Sequence, residues 1–203
     1  IQRGRAVNQS RPGHVFLNQL GIVCALGCGE DEVAAALFAD DAPRGVVAST
    51  LLGAASTALG VATAELPTLE ALPVQWRGRN NALLLLALAP LREAVATAVE
   101  RYGADRVAVV LGSSTSGVGE SEAAHRHVAT QGTWPADFHY RQQEMGTPAL
   151  FVASQLGLRG PAHVISTACS SSAKAMASAA RLLRAGMADA VVTGGADSLC
   201  RFT

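Results

Sequence analysis

The sequence predicts an α/β domain in which helices cover the faces of a mixed, largely parallel β-sheet. Strand-like and helix-like segments alternate through much of residues 104–195, and strand–helix–strand units require parallel strands. Residues 106–111 are a nearly continuous β-branched, apolar run, which is typical of a parallel strand buried on both faces. The length of 203 residues is enough for one domain with its own core.

The first part of the chain predicts few regular elements. We interpret residues 1–14, which are polar and rich in arginine, as a tail or cloning remnant. A short strand or strand pair is predicted over residues 15–17 and 21–25, followed by a helix with an acidic first turn over residues 30–39. Between residues 40 and 78, only one strand is predicted, near residues 59–64.

Residues 80–101 have the strongest helical pattern in the chain. Large aliphatic residues recur there at steps of three and four: Leu84, Leu88, Leu91, Val95 and Val99. Such a stripe covers one face of a helix. Pro90 lies off the stripe and removes one backbone donor, so the sequence predicts a kink or break there. We expect Gly103 to end the element.

The second half of the chain alternates between strands and helices. A loop rich in Gly and Ser follows the strand at residues 106–111, and a helix is predicted over residues 120–130. Thr147 can cap a helix that stops before Gly157. Strands are also predicted at residues 162–166 and 190–193, with a strong helix over residues 170–185 between them.

Composition excludes several classes of protein. Apolar residues make up 49% of the chain and charged residues 16%, which excludes a disordered or collagen-like chain. Sixteen basic residues balance sixteen acidic ones, so charge gives no reason to expect a nucleic acid or an anionic membrane as partner. No secretory signal opens the chain, and the apolar run at residues 82–89 is too short to span a bilayer. We therefore expect a reduced, cytoplasmic protein.

The sequence predicts no metal site and no cofactor. Cys24 and Cys28 are four residues apart, but no second cysteine pair follows to complete a zinc site. The glycine-rich loop at residues 112–119 lacks the glycine spacing and the lysine of nucleotide-binding loops.

Cys169 is the cysteine that points to chemistry. It lies between the predicted strand ending at Ser166 and the start of the next helix, and ligands of open α/β sheets bind beyond such strand ends. The N–H groups and positive dipole end of a helix favour a thiolate, which is a good nucleophile, and can receive an oxyanion. The alternative is a small core residue after a buried strand, and spacing leaves both open.

Four segments carry a resemblance to a known family: LGIVCALG at residues 20–27, VVLGSSTSGVGE at residues 109–120, STACSSS around Cys169, and ADAVVTGGA at residues 188–196. Together they resemble the N-terminal half of a β-ketoacyl-acyl-carrier-protein synthase, a condensing enzyme of the thiolase superfamily. The resemblance covers residues 15–203 and is loosest over residues 40–75. It implies a thiolase-like fold of which this chain is the N-terminal half, with the C-terminal half absent, and a homodimer or heterodimer.

The resemblance also implies a reaction. Cys169 would take an acyl group from an acyl carrier protein as a thioester, with its own backbone N–H donating to the oxyanion. Malonyl-carrier protein would then lose carbon dioxide, and the carbanion would attack that thioester to give a 3-oxoacyl-carrier protein, as in fatty acid or polyketide biosynthesis. The implied partners are an acyl carrier protein, acyl and malonyl thioesters, and the C-terminal half.

The resemblance implies that full activity needs more than this chain. The family places two catalytic histidines and a supporting lysine in its C-terminal half, so we expect this chain to supply the nucleophile and half the fold. Five histidines are expected to have structural or surface roles instead: His14, His125, His127, His139 and His163. We also expect the chain to associate, because half of a paired core exposes apolar surface.

Weaker inferences concern five further residues. Thr115, Gly146 and Thr147 fall where the family lines its acyl pocket, and ordinary turn or cap chemistry is the alternative. Arg77 and Arg79 precede the long helix, where the family presents basic residues to the acidic carrier protein. A solvated arginine pair is the alternative there.

Two other functions remain as alternatives. One is a non-catalytic, chain-length-factor-like subunit that shapes an acyl pocket in a heterodimer. Its class replaces the nucleophile, so the presence of Cys169 argues against it. The other is a related thiolase-type acyltransferase, although the sequence around Cys169 is closer to carrier-dependent synthases.

Overall fold

The computed structural model describes residues 13–41 and 44–202. Within these residues the strands are β1 (Val23–Cys24), β2 (Gly27–Cys28), β3 (Val46–Ser49), β4 (Thr57–Gly60), β5 (Val107–Gly112), β6 (Ala162–Ile165) and β7 (Ala190–Gly195). The α-helices are α1 (Glu30–Leu37), α2 (Arg79–Ala87), α3 (Arg92–Tyr102), α4 (Val118–Gln131), α5 (Thr147–Leu156) and α6 (Ser171–Arg184). The interpretation of residues 1–14 as a tail falls, up to residue 12, outside the described residues.

The N-terminal part forms two small hairpins and one helix. Strand β1 pairs with β2 and β3 pairs with β4, both antiparallel, and α1 lies between the two hairpins in sequence. Residues 15–17 form no strand, which corrects the prediction made for them. Their side chains are exposed, and no described strand lies beside them to complete a ladder. Strand β4 overlaps the strand predicted near residues 59–64 but begins at Thr57.

Pro90 interrupts the long helical pattern, as the sequence predicts. Helix α2 ends at Ala87, a 3₁₀ turn covers Ala89–Leu91, and α3 follows at an angle of 41°. The bend arises because proline lacks the N–H donor that a continuous helix needs. Gly103 ends α3 with a φ of 91°, a value that favours glycine. No single described helix is long and apolar enough to cross a membrane, and α2 and α3 meet those criteria only as this bent pair.

The central sheet has three parallel strands in the order β6-β5-β7. Strand β5 lies in the middle, and all of its residues are buried. At its last residue, Gly112 lies opposite both Ile165 of β6 and Gly195 of β7. The carboxyl ends of the three strands therefore meet at one edge of the sheet. This arrangement confirms the predicted α/β fold with a largely parallel sheet.

Helices cover both faces of the central sheet, because β5 sends alternate side chains to opposite sides. Val109 packs in one cluster with Phe151 of α5 and with residues of α2 and α3. Val110 packs on the other face with Ala175 and Ala179 of α6. The small alanine side chains let α6 lie close to the sheet. The core thus fixes α6 directly over β5, and the residues before α6 at the carboxyl edge.

An ion pair lies at the amino ends of the strands, opposite the edge at which their carboxyl ends meet. Arg106 precedes β5 and Asp189 precedes β7, and Arg106 Nε donates to Asp189 Oδ2 at 2.7 Å. This hydrogen bond raises the pKa of the Arg106 guanidinium above its ordinary value. A second guanidinium nitrogen of Arg106 donates to the Gly186 carbonyl at 2.8 Å. The contacts align the starts of two neighbouring strands.

Candidate active site

Cys169 lies in the turn that joins β6 to α6. Its thiol is exposed and forms no disulfide, and helix α6 begins two residues later at Ser171. Strand β6 ends at Ile165, so the turn stands at the carboxyl edge of the central sheet. This is the position that the sequence predicts for Cys169. The first N–H groups of a helix point toward such a position and lack partners within the helix.

The turn before Cys169 is held by hydroxyl groups. Ser171 Oγ accepts a hydrogen bond from Thr167 N at 2.8 Å and donates one to the Ala168 carbonyl at 2.7 Å. Ser170 Oγ donates to the Thr167 carbonyl at 2.9 Å. Ala168 has a φ of 53°, in the left-handed region that non-glycine residues rarely adopt. Two serines of this run of small residues therefore fix the turn.

Two glycines let the strand ends approach the first turn of α6. A Cβ atom on Gly112 would lie 2.4 Å from the backbone of Ser171 and Ser172, and one on Gly195 would lie 2.0 Å from Ser172 Oγ. A side chain at Gly112 would push the backbone of α6 away, whereas one at Gly195 would displace the Ser172 hydroxyl. The close approach therefore fixes the height of Cys169 above the sheet edge.

Asp197 is a residue of this region that the sequence analysis missed. Its Oδ1 atom accepts hydrogen bonds from Ser114 N at 2.6 Å, from Thr115 N and Oγ1 at 3.1 Å each, and from Ser113 Oγ at 3.3 Å. Asp197 follows β7, and the three residues that donate to it follow β5. An acid just after one strand and a serine-rich loop just after its neighbour are the signal that could have identified this contact.

Thr115 is buried, and its hydroxyl joins two loops. It donates to Asp197 and accepts a hydrogen bond from Ser198 N at 3.1 Å. Gly146 is the exposed N-cap residue of α5, and Thr147 is the first residue of that helix. Thr147 does not cap the helix, which corrects the prediction: its hydroxyl instead donates to the Arg141 carbonyl. The assignment of these three residues to substrate binding stays a prediction.

Arg77 and Arg79 line a cleft of about 820 Å³ that does not include Cys169. Each guanidinium donates to a backbone carbonyl, Arg77 to Leu72 at 2.8 Å and Arg79 to Ala62 at 3.2 Å. Three acidic residues share the cleft: Glu70, Glu120 and Asp137. The arginines are therefore anchored rather than freely solvated, and carrier-protein binding by them stays a prediction.

Three histidines contact residues other than Cys169. His163 of β6 lies with Nε2 at 3.5 Å from Ser178 Oγ, and His125 packs edge-on against Trp134 at 5.1 Å between ring centres. His139 Nδ1 accepts from Arg141 N at 3.1 Å, at the start of a 3₁₀ turn. Over residues 13–41 and 44–202, no histidine forms a hydrogen bond with Cys169, and no cluster of three potential metal ligands occurs.

A family model and individual relatives match this chain. The family described as "Beta-ketoacyl synthase, N-terminal domain" matches residues 81–202, which include Cys169. Nodulation protein E of a Rhizobium species is 34% identical over 118 residues, covering 56% of this chain and 29% of that protein. The "3-oxoacyl-[acyl-carrier-protein] synthase 2" of Staphylococcus aureus is 30% identical over 118 residues, covering 55% of this chain and 29% of that protein. The matched region thus spans under a third of these relatives.

Solved structures extend the similarity to nearly the whole fold. The complex of a ketosynthase (ApeO) with its chain length factor (ApeC) from Xenorhabdus doucetiae contains a chain similar to this one. That chain is 38% identical with a TM-score of 0.84, and the match covers 92% of this chain and 48% of that one. A β-ketoacyl synthase from Burkholderia phymatum, 23% identical with a TM-score of 0.59, matches 83% of this chain and 43% of that one, and it supports the fold alone.

Proposed function

The chain belongs to the β-ketoacyl synthase family, and on that premise we propose that it acts in 3-oxoacyl-carrier-protein synthesis, with Cys169 as the nucleophile that receives the acyl chain. The observation that carries the proposal is the place of Cys169. An exposed thiol stands at the carboxyl edge of a parallel sheet, directly before helix α6. Sulfur both attacks and leaves readily, so it suits an enzyme that must take up an acyl group and then release it.

The first half-reaction is an acyl transfer. The Cys169 thiolate attacks the carbonyl carbon of an acyl-carrier thioester and forms a tetrahedral oxyanion. The backbone N–H of Cys169 is the donor that we assign to stabilise that charge. Collapse of the intermediate breaks the bond to the carrier sulfur, which leaves as a thiolate and takes up a proton. The acyl group then remains on Cys169 as a thioester.

The second half-reaction is the decarboxylative condensation. Malonyl-carrier protein loses carbon dioxide, and the resulting carbanion attacks the acyl-Cys169 carbonyl. The Cys169 thiolate leaves, and the product is a 3-oxoacyl-carrier protein two carbons longer. Decarboxylation needs donors to the malonyl carbonyl, and among the described residues no histidine forms a hydrogen bond with Cys169. We assign that role to the C-terminal half of the fold, joined with this half in a homodimer or heterodimer in a reducing, cytoplasmic environment.

Acylation of the intact chain tests the proposal. We expect wild-type protein incubated with an acyl-carrier-protein thioester to gain the mass of one acyl group, and Cys169→Ala to gain none. Cys28→Ala is the matched control, because Cys28 is another exposed cysteine outside the site, and it should acylate normally. Intact mass spectrometry with peptide mapping measures the adduct, with and without a C-terminal half from a related synthase.

The same experiment distinguishes our proposal from the main alternative, a non-catalytic partner subunit. The similar chain from Xenorhabdus doucetiae comes from a ketosynthase–chain length factor complex, which favours a heteromeric partner as the second candidate. A non-catalytic partner would form a stable heterodimer with a separate ketosynthase and would carry no acyl group. Absence of an adduct on Cys169 under both conditions would contradict our proposal and favour that subunit role.

A further inference from the structure

One carboxylate oxygen of Asp197 accepts four hydrogen bonds from the loop that follows β5. Asp197 Oδ1 accepts from Ser114 N, Thr115 N, Thr115 Oγ1 and Ser113 Oγ at distances between 2.6 and 3.3 Å. Two of these donors are backbone N–H groups, so the carboxylate fixes the path of the main chain. Bonds to an ionised acceptor are stronger than bonds between neutral groups. Asp197 therefore holds the main chain of the loop together with the hydroxyl of Ser113, which accepts from Ser116 N at 2.8 Å.

The loop at residues 113–115 contacts the end of β6 and the first residue of α6, on either side of the turn that carries Cys169. Ser113 begins this loop, and Ser113 N donates to the Ile165 carbonyl at the end of β6 at 3.2 Å. Ser114 Oγ lies 3.5 Å from Ser171 Oγ. Ser171 is buried, and its hydroxyl bonds both sides of the turn, at Thr167 N and the Ala168 carbonyl. A continuous path of contacts therefore runs from Asp197 to the residue before Cys169.

The turn needs such support because of its backbone. Ala168 has a φ of 53°, and a non-glycine residue stays in that region only when its surroundings hold it there. Ser171 supplies the direct hydrogen bonds. The loop held by Asp197, together with the close contact between Gly112 and the first turn of α6, holds Ser171 in place.

We propose that Asp197 is a positioning residue for Cys169, which acts through the loop at residues 113–115 and through Ser171. It touches neither the thiol nor the substrate. Instead it keeps the backbone N–H of Cys169 in the geometry that an oxyanion requires. The inference rests on the proposed role of Cys169 as nucleophile. It adds a residue in the segment after β7 on which the rate of acyl transfer depends.

Two rates measured on the full chain test this role. The first is acylation of Cys169 by an acyl-carrier thioester, with the same added C-terminal half as above, which needs the oxyanion donors. The second is alkylation of Cys169 by iodoacetamide, which needs an accessible thiolate but no oxyanion donors. We expect Asp197→Ala and Ser171→Ala to slow acylation by about tenfold or more, since small misplacements of reacting groups cost that much. Alkylation should stay within about twofold of wild type, because it forms no oxyanion.

The variants at position 197 should differ stepwise in acylation rate, and each kind of change has a matched control. Asp197→Asn keeps an acceptor oxygen but loses the charge, so its acylation rate should fall between wild type and Asp197→Ala. Asp189→Asn removes a carboxylate at the other end of β7, where Asp189 bonds Arg106, and should acylate at the wild-type rate. Ser178→Ala removes a hydroxyl from α6 that lies near His163, and should do the same. Should Asp197→Ala not fold, Asp197→Asn and Ser171→Ala carry the test.

The outcomes are distinct. Slower acylation with unchanged alkylation in the Asp197 and Ser171 variants supports the positioning role. Acylation at the rate of Asp189→Asn, or an equal fall in both rates, overturns it. If wild-type protein acquires no acyl group on Cys169, the proposed function itself fails. If wild-type protein is acylated and only the Asp197 comparison fails, the proposed function stands.

Discussion

Ala168 has the most constrained backbone in the turn that carries Cys169. Its φ of 53° costs about 1–2 kcal/mol for a residue with a Cβ atom. Two hydrogen bonds from Ser171, through its backbone N and its hydroxyl, fix the Ala168 carbonyl at 3.0 and 2.7 Å. The surrounding contacts therefore hold a conformation that the alanine itself disfavours.

Substitution of Ala168 measures this strain. We expect Ala168→Gly to raise the free energy of unfolding by up to about 1 kcal/mol, because glycine adopts a positive φ freely but gains entropy when unfolded. Ala168→Val should lower it by about 1–3 kcal/mol, because a β-branched residue is poorly tolerated there. Ala177→Val, at an exposed helical position in α6, should cost only about 0.7 kcal/mol through helix propensity. Urea denaturation measures all three, and equal losses for the two valine variants would contradict the prediction.

At the residue scale, the sequence predicts the positions that local pattern determines and misses the contacts between residues that are distant in the chain. The position of Cys169 follows from local pattern, because a buried strand, small residues and a helix start are adjacent in the chain. The contact of Asp197 with Ser114 joins residues 83 positions apart. That pairing depends on β5 and β7 being neighbours in the sheet, which local pattern does not determine. The cap predicted at Thr147 was wrong because its hydroxyl bonds Arg141 instead.

At the scale of elements, helix α5 depends on a few buried side chains. Phe151 is fully buried, with its ring 6.0 Å from that of Trp76. It belongs to the same core cluster as Val109 of β5. The sequence predicts the bounds of α5 well, because Pro148 in the first turn and Gly157 after the last are strong signals. It does not show which face of the helix meets the sheet.

A pair of neighbouring substitutions tests this packing. Phe151→Ala should lower the free energy of unfolding by about 3–5 kcal/mol, because it opens a cavity in the main core. Leu150→Ala is the matched control: the residue is next in sequence but 50% exposed, so the loss should stay below about 1 kcal/mol. Urea denaturation followed by tryptophan fluorescence measures both variants, and Trp76 emission should also change in Phe151→Ala. Similar losses for both variants would show that α5 is packed differently.

At the scale of the whole molecule, apolar side chains remain on the surface. In the N-terminal part, Phe16, Leu17 and Phe38 are 74%, 79% and 82% exposed, and Phe202 near the other end is 82% exposed. The central sheet also has β6 and β7 at its edges, and unpaired strand edges promote association. The parallel sheet follows from the alternation of elements in sequence. The distribution of exposed side chains does not, because helix and strand patterns in residues 13–78 are short.

Association of the chain follows from this surface. We expect the 203-residue chain to self-associate with rising concentration, and to do so almost independently of salt, because the contact is apolar and the formal net charge is zero. Sedimentation velocity across a concentration series measures it. Replacing Leu37 and Phe38, both exposed at the end of α1, with serine should weaken association. A monodisperse monomer at every concentration would contradict the prediction.

The central position of β5 has a consequence for the chain as it is synthesised. Strand β5 comes before both of its neighbours in sequence, β6 and β7. Bacterial and eukaryotic ribosomes add about 5–20 residues per second, so the roughly 80 residues from β5 to the start of β7 take about 4–16 s. For that interval the most apolar strand of the sheet lacks at least one of its two neighbouring strands, because β6 is synthesised before β7. The yield of native protein in the cell should therefore depend on translation speed and on chaperones that shield β5 until β7 emerges.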